Sequence, residues 1–418
     1  MAANLDIAVI GAGVAGLANA IALARHGHRV TVYERFDTSR PIGSGLMMQP
    51  PGLAALDRLG LRHALEQLGH RIDRLHGLTE RGRTIFNLCY GDLDRRHYAL
   101  AVHRAALHGV LWEGFKRSGA ALETGRTIAG VEHLADGRVA PVDESGRRLP
   151  AAALVIDASG ARSCLRALVS GPAPRPFAYG AVWATVDDIA LAPNCLAQRY
   201  VAARIMIGYL PIGRMEPAGR PLAAFFWSLK PDAYAAWRAR FADWRAEVVR
   251  LWPDLAPIVA TLDDPDKLTL AGYTQFTASR LSRGNLVLTG DSAHATSPQL
   301  GQGANQGIID AVVLADALAA CAERAEALAL YARLRRRHVR FYQLASAVMT
   351  PFFQSDSRLF AMVRDQTFDR MRYVPYLRRE MIRTLAGLKT GLFTSKSASA
   401  IADCVPANGG IVARLPAR

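Results

Sequence analysis

Ile7-Ala8-Val9-Ile10-Gly11-Ala12-Gly13-Val14-Ala15-Gly16 decides the fold. A short apolar run that stops at glycine reads as a buried parallel strand. From Val14 to His26 the pattern turns helical, and Gly27 supplies a natural stop. Arg29–Tyr33 (RVTVY) is β-branched and strand-like again. Strand, helix and strand in this order form a βαβ unit. The glycines fall where the unit needs them: Gly11 for a tight turn, Gly13 for close approach to the backbone, Gly16 for helix–strand packing. Glu34 closes the second strand. A helix N-terminus offers free N–H groups and the positive end of a dipole. The unit is therefore built for a dinucleotide, with the pyrophosphate over the helix start and a ribose on Glu34. Ala15 and Arg35 are counted with the binding residues.

A second segment narrows the cofactor. After the strand-like run Asn285–Leu288 comes Thr289-Gly290-Asp291-Ser292-Ala293-His294, then Pro298, Gly301, Gly303, Ala304 and Asn305. A carboxylate at a strand end can accept hydrogen bonds from sugar hydroxyls. The Gly301–Asn305 stretch presents amides and a helix N-terminus to an anionic ring. This segment resembles the GD box of the flavoprotein hydroxylases of the para-hydroxybenzoate hydroxylase type, the group A FAD-dependent aromatic monooxygenases. The resemblance covers the whole chain, but its specific motifs lie in the nucleotide-binding part. It implies tight, non-covalent FAD, with Gly290 and Asp291 at the ribityl chain. It makes Arg104, in Val102-His103-Arg104, the arginine that reaches the pyrophosphate. Arg40–Pro50 resembles the loop that passes the flavin ring, with Gly45 allowing close approach.

A third segment, Asp157-Ala158-Ser159-Gly160-Ala161-Arg162-Ser163-Cys164-Leu165-Arg166, looks like the family's DG motif with a departure. Ser159 stands where the motif has aspartate, and Asp157 where it has glycine; Gly160, Ser163 and Arg166 match. The D-A-S-G form is similar to geranylgeranyl reductases and flavin halogenases, so the departure bears on direct reduction by a nicotinamide.

The resemblance implies an α/β fold: a Rossmann-like FAD-binding domain, an inserted β-rich substrate domain and a helical C-terminus. Residues 1–176 form the first part of the FAD domain, with about 72–98 open to assignment to the substrate sheet. Residues 177–268 form the substrate domain, 269–335 the second part of the FAD domain, and 336–418 the helical region. Strand-like runs at Tyr179–Val186, Tyr200–Leu210 and Leu222–Leu229 carry the insert. Met48, Trp183, Met206, Tyr209, Phe226 and Phe353 are candidates for a flat apolar pocket. Strand alternation puts Met206 and Tyr209 on opposite faces, so not all of them can share it.

The implied reaction is hydroxylation of an electron-rich aromatic molecule. NAD(P)H reduces the flavin and leaves, and O2 gives a flavin hydroperoxide that transfers one oxygen. The amides near Gly301–Asn305 and the carbonyl of Pro298 are the groups expected to act there. His294 is a candidate base. Electrons from a separate flavin reductase stay open, as do a monomer or a homodimer. A reductase or halogenase of the same fold is the alternative, although no W-x-W-x-I-P segment is present. A non-catalytic Rossmann-like binding protein is an alternative of another class.

Composition excludes other classes. Half of the 418 residues are hydrophobic and 21% charged, which rules out a disordered chain. Cys89, Cys164, Cys195, Cys321 and Cys404 are scattered, without a CxxC pair, so a zinc site or disulfide framework is not expected. No metal-ligand spacing and no signal or membrane-spanning segment is read, which fits a cytoplasmic enzyme. The net charge of +15 comes almost wholly from arginine. Nucleic acid has no motif support beyond charge. In Tyr331–Arg340 and Arg370–Thr390 basic residues interleave with apolar ones. A solvated helix face and weak contact with an anionic membrane surface both stay open.

Overall fold

The computed structural model describes residues 4–38, 44–171 and 173–402. Arg40–Gly43 of the expected flavin-ring loop and Cys404 lie outside the described residues.

A six-stranded sheet forms the base. Its spatial order is Ser282–Arg283, Leu286–Leu288, Leu154–Asp157, Asp6–Ile10, Arg29–Tyr33 and Ala121–Glu123. All neighbours run parallel except the first pair. The central strands are buried on both sides, which explains their unbroken apolar sequences. Register matters most for function. Ile10 stands opposite both Tyr33 and Asp157, and Asp157 opposite Leu288. Three sequence-distant motifs therefore leave the sheet at one edge, where ligands of open α/β sheets bind. The Val14–Arg25 helix packs on the sheet and closely against the Gly303–Ala320 helix.

The second layer is a seven-stranded sheet ordered Thr269–Ala271, Gly180–Asp187, Leu222–Leu229, Ile205–Gly213, Cys195–Val201, Arg74–Thr79 and Thr84–Cys89. Residues 74–89 thus supply two of its strands. The run expected as one strand, Tyr200–Leu210, is instead a hairpin: Cys195–Val201 pairs antiparallel with Ile205–Gly213. The turn holds Ala202 at φ +49°, in the left-handed region, and contains no glycine, proline or asparagine. It carries none of the usual turn residues.

Alternation gives this sheet two apolar faces. Met206, Leu210, Ile212, Leu222, Ala224 and Phe226 join the main core shared with the base domain. Ile207, Tyr209, Phe225 and Trp227 join a second core with Trp237, Trp244 and Trp252 from the short helices behind. The helices Arg324–Phe353, Arg358–Met371, Pro375–Leu385 and Ala398–Ala402 finish the described chain.

Candidate functional site

The cleft between the two layers is floored by the three motif loops. The first turns at Gly11, whose φ is +98°; a Cβ there would lie 2.9 Å from the Ala158 carbonyl. At Gly16 a Cβ would fall 1.8 Å from the Gly11 carbonyl, so only glycine closes this turn. Gly13 is different, because a Cβ there would meet nothing within 4 Å. Its face is an open cradle beside the start of the Val14–Arg25 helix, whose first intrahelical bond is Leu17 N–H to Gly13 C=O at 2.9 Å. The amides of Val14, Ala15 and Gly16 therefore have no partner within the helix. Ala15 also packs its methyl against Gly290 and Gly307, locking the first motif to the second.

Glu34 is buried and shapes the loop. Its Oε2 accepts the Ala12 N–H at 2.7 Å and its Oε1 the Phe36 N–H at 3.1 Å. A carboxylate has about four acceptor positions, so two remain open to a ligand. Arg35 lies on the outside, its guanidinium 4.5 Å from the Phe36 ring centre. Arg104 opens the Arg104–Ser118 helix at an exposed position, and its N–H donates to Ser44 C=O at 2.8 Å. His108 of that helix reaches the Ala12 carbonyl at 3.3 Å and so ties it to the glycine turn.

The second motif presents Asp291 exposed, with no side-chain partner among the described residues. Its Oδ1 lies 3.6 Å from where a Cβ on Gly303 would stand. The free carboxylate thus faces the first amides of the Gly303–Ala320 helix, whose first intrahelical bond is Gln306 N–H to Gln302 C=O. Gly303, Ala304 and Asn305 have only their backbone amides to offer a ligand. The Asn305 side chain is consumed: it accepts the Gln49 N–H at 2.8 Å and donates to Met47 and Gly301 carbonyls. Gly301 sits at φ +60°, and its N–H takes the Pro298 carbonyl at 2.9 Å. Beside it the Gln49 amide nitrogen is buried and unpaired among the described residues, 3.8 Å from a Gly301 Cβ position.

The third motif is an internal brace. Asp157 is fully buried. Ser159 donates to its Oδ1 from N and Oγ at 3.0 and 2.6 Å, and Ser163 Oγ to its Oδ2 at 2.5 Å. Burial pushes its pKa up against these bonds. Arg166 is also buried, yet it has no carboxylate partner among the described residues. It donates to Ser292, Gly160, Ala161 and Asp291 carbonyls and lies over Phe276. It stitches the third motif to the second.

Several expectations need correction. His294 is not placed to act as a base: it is 1% exposed and its Nε2 bonds Asp310 Oδ2 at 2.6 Å. Gly45 does allow a close approach, but to the upper sheet, since a Cβ there would sit 2.6 Å from Ile212. Met48 is fully buried in the core, whereas Met47 is the methionine beside Gly301. Tyr209 lies on the far face of the upper sheet, bonded to Asp188 and the Ile189 N–H. Phe226, Trp183, Met206 and Phe353 gather on the near side. Phe226 lies 4.6 Å from Trp183, and Phe353 packs on Tyr200 at 5.4 Å and Phe86 at 6.1 Å. Trp183 Nε1 donates to Tyr273 Oη at 2.8 Å.

Sequence reasoning missed a buried polar hub. Asp310 accepts from Gly290 N–H at 2.8 Å, His294 at 2.6 Å and Arg335 Nε at 2.6 Å. Arg335 also bonds Gln306 and His338, and His338 reaches the Gly387 carbonyl at 2.9 Å. Burial opposes ionisation of Asp310, but His294 and Arg335 outweigh it and hold the pKa at about 2. Burial and the Arg335 charge lower His338 to about 3. The signal was helical spacing: Tyr331, Arg335, His338 and Tyr342 fall on one face of a run that looked uniformly basic.

Three helix starts, an open glycine cradle, a free carboxylate and an unpaired buried amide suit a molecule with a pyrophosphate, a polyol and a ring that takes hydrogen bonds. Comparison with known proteins agrees. Residues 4–344 match the family model described as FAD binding domain. The chain is 32% identical to 3-amino-4-hydroxybenzoate 2-monooxygenase of Streptomyces cremeus over 344 residues, 75% of this chain and 79% of that one. It is 28% identical to a FAD-dependent urate hydroxylase of Klebsiella pneumoniae, across 79% and 86%. The crystal structure of Klebsiella pneumoniae HpxO complexed with FAD and uric acid superposes with a TM-score of 0.77 at 25% identity, covering 92% of this chain and 98% of that one. The chain belongs to the group A FAD-dependent aromatic monooxygenases.

Proposed function

We propose that this monooxygenase hydroxylates a flat, predominantly apolar and uncharged aromatic molecule, held between the flavin and the upper sheet. The observation that carries the reading is the near side of that sheet. Its central positions are Trp183, Gln198, Tyr200, Met206 and Phe226, with Phe86 and Phe353 beside them, and none is charged. Arg364 lies against Tyr200 and Phe353, but its donors go to Asp365 and the Phe352 and Ala202 carbonyls. A substrate carboxylate would lose its hydration there, and none of these side chains offers it a free cation. Aromatic stacking and apolar burial favour a neutral ring system instead.

Gly13 and the first amides of the Val14–Arg25 helix would receive the FAD pyrophosphate, with Arg104 adding charge. Glu34 would hold the ribose and Asp291 the ribityl hydroxyls. Gly303, Ala304 and Asn305 amides would face the ring. Reduced FAD supplies the electrons that let O2 deliver one oxygen atom to the substrate. The protein's part is to orient the substrate ring, exclude water and place amide dipoles where negative charge develops. The reductant is read as NAD(P)H binding transiently.

Two measurements test this. Flavin absorbance titrated with neutral phenols, hydroxyquinolines or phenazines should shift at lower concentrations than with their carboxylated analogues. Tighter binding of the carboxylates would refute the substrate class. Anaerobic NADH or NADPH should bleach the protein, faster with a bound neutral ligand. A protein that stays yellow would make a separate reductase the donor.

A further inference from the structure

The outer faces of the C-terminal helices are unusual for a folded chain. Among the described residues, fifteen large apolar side chains are exposed, and eleven lie between Leu344 and Phe393. They are ordered. On the Arg324–Phe353 helix the exposed positions Arg336, Arg340, Leu344 and Val348 recur every fourth residue. Tyr331, Arg335, His338 and Tyr342 are buried on the opposite face. On the Arg358–Met371 helix, Leu359, Met362 and Val363 form one exposed stripe, with Arg358 and Arg370 at its ends, while Ala361 and Arg364 point inward. Tyr373 and Tyr376 follow, and Phe393 stands 81% exposed on a later turn. An apolar patch on this scale marks an interaction surface.

The charge around the patch selects the partner. Arg336, Arg337, Arg340, Arg358, Arg370 and Arg379 are exposed and have no ion pair among the described residues. A second copy using the same face would set arginine against arginine. An anionic bilayer instead offers phosphates to the arginines and acyl chains to the leucine, methionine and aromatic side chains. No helix among the described residues is long and apolar enough to cross a membrane, so the contact would be superficial.

We infer that the outer faces of the Arg324–Phe353 and Arg358–Met371 helices dock the enzyme on an anionic lipid surface. Their inner faces carry Phe353 and Arg364, which pack on Tyr200 of the upper sheet. Docking would place the apolar side of the cleft about one helix diameter, roughly 10 Å, from the bilayer.

Flotation of the FAD-loaded protein with vesicles tests this. The probes are pure phosphatidylcholine and an equal mixture of phosphatidylcholine and phosphatidylglycerol. The protein should float with the mixture, far less with the pure lipid, and be released by added salt. The double variant Leu359→Asp, Met362→Asp should lower the bound fraction roughly tenfold or more while FAD content stays unchanged. A second pair, Arg336→Glu and Arg340→Glu, removes the electrostatic part alone and should abolish the preference for the mixture. Absence of flotation would overturn the proposal, as would flotation indifferent to lipid charge or to both pairs. A dimer in sedimentation velocity that the aspartate pair dissociates, without lipid binding, would make the face a self-interface.

Discussion

The floor and the roof of the cleft are made in different ways. The floor consists of short loops that leave neighbouring parallel strands, and its binding groups are mostly backbone amides and one free carboxylate. The roof consists of side chains from strands as distant in sequence as Thr84–Cys89 and Leu222–Leu229, brought together by sheet register. On the proposed placement, a floor of this kind would recognise chemistry that does not vary, the pyrophosphate and polyol of one cofactor. A roof of this kind can change its ligand through single side-chain replacements without disturbing the cofactor.

The largest break in this division should come from beneath the floor. Asp310→Ala removes the shared acceptor of Gly290, His294 and Arg335 and leaves a buried guanidinium without its carboxylate. Breaking a buried pair this way costs about 3–5 kcal/mol. Thermal unfolding should move down sharply, and the remaining folded protein should hold less FAD. On the roof, Trp183→Phe removes the bond to Tyr273 and part of the platform over Phe226. An unmade buried hydrogen bond costs about 1–3 kcal/mol. FAD content should stay constant while KM for an aromatic substrate rises, which steady-state kinetics and absorbance separate.

Acid stability sharpens the picture of the hub. His338 has a pKa near 3 in the fold against an ordinary 6.5. The unfolded chain therefore binds more protons between these values. The stability contributed by neutral His338 is complete above about pH 6.5 and is lost as pH falls towards 3. His338→Gln should flatten the decline of the unfolding midpoint over that window, and an unchanged slope would remove His338 from the account. The smallest effect is expected at Tyr209→Phe. It loses the Asp188 and Ile189 contacts behind the roof, so stability should drop slightly while KM and FAD content stay put.

Much of the floor was legible because its signals are local. Gly11, Gly13, Gly16 and Glu34 lie within one strand–helix–strand unit, and Gly290-Asp291 follows a strand directly. The substitution of Ser159 and Asp157 was also visible, but not its meaning, since the carboxylate turns inward onto two serines. The roof was harder to read. Arg74–Thr79 joins it only through parallel pairing with Cys195–Val201, more than 100 residues away. The break at Ala202–Arg204 carries no turn residue, so one strand was expected where there are two. The hub escaped because Asp310 sits inside an apolar helix and Arg335 inside a basic run. Their burial depends on which helix face meets the core.

The most direct test of the account is an FAD titration of the apoprotein beside two variants, Gly13→Val and Asp291→Ala. A side chain at Gly13 would enter open space and the Asp291 carboxylate has no partner among the described residues, so both variants should fold with an unchanged far-ultraviolet spectrum and melting midpoint. Loss of a hydrogen bond to a charged group is worth about 1.5–3 kcal/mol. Asp291→Ala should therefore weaken FAD roughly tenfold to a hundredfold, and Gly13→Val by at least as much. Well-folded variants that bind FAD as tightly as the parent chain would contradict the placement of the cofactor on this floor.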